Sequence, residues 1–138
     1  MADDNRTNHT LSAYHTAIRV YDEKPTDENY EEMLRLRAEH KELSHKVLLE
    51  KYADLKKRVA WTTNKAQEII ADKKSVPDKH LDRVKKLYDH MKEEVDEAKR
   101  VKDACREAYQ DMVEVHREYK EVKQLVLRKK QELTSGGS

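Results

Sequence analysis

The chain has no phenylalanine, one cysteine, one tryptophan, two prolines and two glycines in 138 residues. Each shortage excludes something. Both glycines, Gly136 and Gly137, stand at the C-terminal end, so a glycine-rich phosphate loop cannot be built. Cys105 has no second cysteine to pair with, which rules out a disulfide within the chain. The opening MADDNRTNHT lacks the apolar centre of a signal peptide. No apolar stretch approaches the roughly 20 residues a membrane helix needs. These readings point to an intracellular protein, cytoplasmic or nuclear, without membrane contact. The sequons at Asn5 and Asn8 then carry no meaning.

What remains is charge. Charged residues make up 41% of the chain and hydrophobic ones 36%. A thick globular core needs more apolar volume, whereas helices that bury only a stripe need less. The 29 basic and 28 acidic side chains nearly cancel, and the signs are interleaved. That argues against nucleic acid as the main partner, because a basic stripe is its usual footprint. The cluster Arg128, Lys129 and Lys130 reads as positive charge at a helix C-terminus.

Residues 1–9 are polar and expected to be disordered. Thr10 is expected to cap a short helix carrying Leu11, Tyr14, Ile18 and Tyr21 on one face. Pro25 stops it. Thr26 caps a second helix with Asp27 and Glu28 in its first turn. Its apolar positions run through Tyr30, Met33, Leu36, Leu43, Val47, Leu48, Tyr52, Leu55, Val59, Ala66, Ile69 and Ile70. Trp61 lies beside that stripe and is expected to pack. Ser75 and Pro77 read as the cap and first turn of a third helix, placed so that the chain folds back on itself.

The third helix has a three-four ladder starting at Leu81 and Val84. Its members Leu81, Val84, Tyr88, Met91, Val95, Tyr109, Met112 and Tyr119 are expected to form the intrachain seam. Lys102, His116, Lys123 and Lys130 fall on the same ladder and read as polar residues that fix register or snorkel outward. Val101, Ala108, Val115 and Val122 flank it at seven-residue spacing with Leu87, and are expected to form the interface to a partner. The fold read from these patterns is all-α: a short N-terminal helix plus a long antiparallel helical hairpin, of coiled-coil or three-helix-bundle type, dimerising. One helical domain covers 10–133, and 134–138 is a flexible tail.

Few constellations carry chemistry. Glu42 and His45 are the single Glu-x-x-His pair, where a di-metal bundle site needs two. Cys105 has no histidine within one helical turn and sits at a seam position, so it reads as a packed small hydrophobe. No catalytic, metal-binding or cofactor-binding residues are assigned, and no cofactor is expected.

Two resemblances extend this reading. Pro25, MLRLRAEH at 33–40 and LYDHMKEEVDEAKRVKDACREAYQDMVEVH at 87–116 follow one another in an order that resembles the N-terminal helical domain of the inhibitor-of-growth family. Glu97 to Val101, Ala104, Tyr109, Glu114 and His116 match that family's segment in order, with spacings displaced by a residue. The family's C-terminal histone-reading finger is absent. The likeness implies a homodimer assembled into a chromatin-modifying complex. The SVPD stretch at 75–78, followed by Leu81, Val84 and Tyr88, is similar to tubulin-folding cofactor A. That family is a three-helix bundle holding a tubulin monomer, and its internal loop is missing here. The functional expectation is a non-catalytic helical scaffold that assembles protein partners as a homodimer; the alternative is a small chaperone holding a globular client.

Overall fold

The computed structural model describes residues 2–71 and 78–136, and these are helical except for one turn. The helices are α1 (Ala2–Glu23), α2 (Asp27–Ala71) and α3 (Asp78–Gly136). The expected turn at Ser75 and Pro77 lies outside the described residues. Two boundaries differ from expectation. α1 begins at Ala2, not at Thr10, and the polar stretch before Thr10 is helical. Thr10 is an interior residue: its hydroxyl donates back to the Thr7 carbonyl at 3.0 Å, the local bond threonine makes inside a helix. α3 runs to Gly136, past the tail expected from 134, and the Thr134 hydroxyl bonds the Lys130 carbonyl at 2.8 Å.

The turn between α1 and α2 is built as the sequence indicates. α1 ends at Glu23, two residues before Pro25. The Thr26 hydroxyl accepts the Asn29 amide at 3.1 Å, capping α2. Asn29 adds a bond that was not foreseen: its side-chain amide donates to the Lys24 carbonyl at 2.9 Å, satisfying a carbonyl at the end of α1.

Where one domain over 10–133 was expected, the chain divides into two compact units. One comprises Met1–Val47 and Arg106–Ser138; the other is Leu48–Cys105. In the first, α1 lies on one side of α2. The Tyr21 and Tyr30 rings are 5.4 Å apart, and Thr10 Oγ1 is 2.7 Å from His40 Nδ1. Ala17, Leu34, Ala38, Val115 and Val126 are buried here. Pairs between α2 and α3 run in opposite numerical order: Asp27 with Lys129, Arg37 with Glu118, Lys41 with Asp111.

In the second unit, Leu55, Val101 and Cys105 form the core, with Leu48, Tyr52 and Ala98 packed around them. Ala66 and Thr62 are buried further along. The pairs again run oppositely, from Lys51 with Glu97 to Thr63 with Met91.

The inward ladder of α3 differs from the expected one by half. It reads Val84, Leu87, Met91, Glu94, Ala98, Val101, Cys105, Ala108, Met112, Val115, Tyr119, Val122 and Val126, all buried or half-buried. One of its two series, through Val84, Met91, Met112 and Tyr119, was anticipated. The other runs through Val101, Ala108, Val115 and Val122, the residues expected to face a partner. Val101 and Val115 are only 4% exposed within the single chain, so neither is available for a second contact. Conversely, Leu81, Tyr88 and Tyr109 of the expected seam are exposed, and Val95 is half-buried on the flank. The reason is desolvation. The series through Tyr88 and Tyr109 also carries Lys102, Lys123 and Lys130, and burying those cations is costly. From Leu87 to Val122 the chosen series has one ionisable member, Glu94.

Candidate functional site

Because the small aliphatic residues turn inward, larger apolar side chains are left on the flanks. In the Leu48–Cys105 unit, Trp61 is 61% exposed and Tyr88 44% exposed. Trp61 was expected to pack, and it does not. Its register explains this. α2 buries Leu55, Thr62 and Ala66, and Trp61 immediately precedes Thr62, turned roughly 100° away from it. In the other unit Tyr109 is 52% exposed, and Val113, Leu125 and Leu133 also reach solvent. The Tyr109 ring lies 5.5 Å from the His45 ring.

Trp61, Ile69 and Leu87 form the apolar part of an open groove of about 340 Å³. Its remaining lining residues are all basic: Lys65, Arg83, Lys86 and His90. The Lys65 ammonium lies 5.8 Å from the Trp61 ring, within cation–π range, and also pairs with Glu68 at 3.6 Å. On the other flank of the same unit, Tyr52, Val59, Ala60, Val95 and Ala98 line a second groove with Lys56, Lys99 and Lys102.

One polar group lies inside the ladder between these grooves. Thr62, 2% exposed, donates its hydroxyl proton to Glu94 Oε1 at 2.9 Å. His90 Nε2 is 3.0 Å from the same oxygen. Glu94 Oε2 is buried and has no hydrogen-bond partner among the described residues. Neither residue was singled out from sequence. The signal was present as a gap: Leu87, Val101, Ala108, Val115 and Val122 are spaced by sevens, except that position 94 is skipped.

The residues tested for chemistry do not converge. His45 stacks on Tyr109, while Glu42 Oε2 is 3.4 Å from His116 Nε2. Among the described residues no group of three or more His, Cys, Asp or Glu side chains is arranged to hold a metal ion. Cys105 is buried, and that burial pushes its thiol above the ordinary value; the thiolate, the reactive form, is thereby disfavoured. Elsewhere the charges serve the helix surface. Arg35 bridges Glu32 and Glu39 on α2, and its guanidinium holds the Glu32 carboxyl below the usual range. The exposed Lys129 pairs with Asp27 at 2.7 Å, which raises the lysine above its ordinary value. No helix among the described residues is long and apolar enough to cross a membrane.

No known family matches the chain, and no characterised protein or solved structure matches it.

Proposed function

We propose that the chain is a non-catalytic assembly module: an antiparallel helical hairpin that pairs with a second copy and gathers protein partners. The observation carrying this reading is the set of large apolar side chains left outside a filled ladder, above all Trp61, Tyr88 and Tyr109. Tyrosine and tryptophan contribute most of the binding energy where partners meet. Flanks that expose such side chains beside lysines have the amphipathic character of an interface. Membership of a chromatin-modifying assembly, implied by the inhibitor-of-growth resemblance, belongs to the same proposal.

Sedimentation equilibrium tests it. A dimer is expected at micromolar concentration, with melting that depends on concentration. Replacing Tyr88 and Tyr109 together by lysine is expected to give a monomer of unchanged helicity. A wild-type chain that stays a compact monomer at these concentrations overturns the scaffold and favours the client-holding chaperone.

A further inference from the structure

We infer that the groove around Trp61 is a docking site for an acidic amphipathic helix of a partner protein. This rests on the reading of the chain as a partner-binding module, and it names the site and the chemistry of its occupant.

The first argument is charge. The chain as a whole is nearly neutral and interleaved, yet every ionisable side chain lining this groove is basic. Lys65 pairs with Glu68 and His90 lies against Glu94. Arg83 and Lys86 have no carboxylate partner among the described residues. Two such cations beside an apolar floor attract a carboxylate-bearing ligand and repel a basic one, and so discriminate between the two.

The second argument is register. In the unit containing Met1–Val47, α1 covers one flank of α2, touching Tyr30 and His40. Trp61 stands three heptads after His40, and Lys65 five heptads after Tyr30. Along a helix whose ladder repeats by sevens, these positions share one flank. Among the described residues of the Leu48–Cys105 unit, no third helix lies on that flank. It carries instead the largest exposed side chain of the unit, Trp61. A helix occupies this flank where α1 is available, so the fitting occupant is helical, and the basic rim specifies acidic residues at its edges. Trp61 is the anchor, since an exposed tryptophan becoming buried contributes the most to such a contact.

Trp61 is the single tryptophan of the chain, so its fluorescence reports on this groove alone. The probe is a synthetic helical peptide of about 18 residues, with leucine at i, i+3, i+4 and i+7 and glutamate on both edges. A control peptide carries lysine in place of glutamate. The full chain is titrated with each at low salt. The acidic peptide is expected to shift Trp61 emission to the blue and to bind at least about tenfold more tightly than the basic one. The double variant Arg83→Glu with Lys86→Glu is expected to reverse that preference, with helicity unchanged. Equal response to both peptides, or no response to the acidic one, overturns the inference. So does an emission shift produced by the protein's own concentration without peptide, which would make a second copy the occupant. Sedimentation of the same double variant separates the two proposals. A dimer that persists while peptide selectivity is absent removes the groove and keeps the scaffold. Selective peptide binding by a monomer does the reverse.

Discussion

Thr62 and Glu94 face each other across the ladder of the Leu48–Cys105 unit, joined by one 2.9 Å hydrogen bond. The bond satisfies Oε1 and leaves buried Oε2 without a partner among the described residues. An unsatisfied buried acceptor costs about 1–3 kcal/mol. Removing one partner makes matters worse, while replacing both by apolar residues removes the cost. Thr62→Val alone is therefore expected to destabilise by about 1–2 kcal/mol. Thr62→Val with Glu94→Leu is expected to be more stable than wild type by about 1–3 kcal/mol. Urea denaturation of the two single variants and the double variant measures this, and a double variant less stable than either single one refutes it. The polar pair also has a role that stability does not report. A single polar site in an apolar ladder fixes register, so the double variant is expected to show broadened amide resonances around α2 and α3 in this unit.

Val115 supplies the second case, because its burial changes what a charge there does. Were Val115 on a partner-facing flank, Val115→Asp would break assembly and spare the fold. At 4% exposure within one chain, the aspartate is instead left inside the apolar ladder. The expected cost is at least about 3 kcal/mol, read as lost helicity or a lower denaturation midpoint. Tyr109→Asp, on the exposed flank, is expected to change stability by less than about 1 kcal/mol. Equal stability losses in the two variants would show that the inward series has been misassigned.

These two pairs also mark how far sequence alone reaches. That α2 and α3 are long helices followed from period and from the scarcity of glycine and proline, since nothing else in the chain competes with helix. The cap at Thr26 was legible because capping is local chemistry. Choosing between adjacent heptad series was not. Residues 87 and 88, or 108 and 109, are both apolar pairs, and sequence weight favoured the aromatic member of each. Packing favoured the smaller member, because only that series runs inward without burying Lys102, Lys123 and Lys130. Leu34 and Ala38, both deeply buried, escaped notice for a related reason. α2 meets a helix on two sides there, and the stripe becomes too wide for a single period to describe. Trp61 was placed beside the stripe from sequence but expected to pack; its register, one residue before buried Thr62, turns it onto a flank.

His40 joins α1 to α2 and gives the fold a pH dependence of defined sign. Its ring is half-buried beside Thr10, and burial, then Lys41, then His15 hold its titration below the ordinary imidazole value of 6.5. The folded chain thus prefers the neutral ring. The unfolded chain, titrating near 6.5, binds the proton first as pH falls. In the window below that value the unfolded state holds more protons, so stability rises with pH. The contribution is complete above about pH 7 and is lost as pH drops through the folded value. His40→Gln keeps a polar side chain without a titrating ring. Urea midpoints between about pH 5 and pH 7 are expected to fall more steeply for wild type than for this variant. Amides of α1 are expected to lose hydrogen-exchange protection first in the wild type, since the affected contact joins α1 to α2. Parallel pH profiles for the two proteins would mean that the His40 ring is not what ties α1 down.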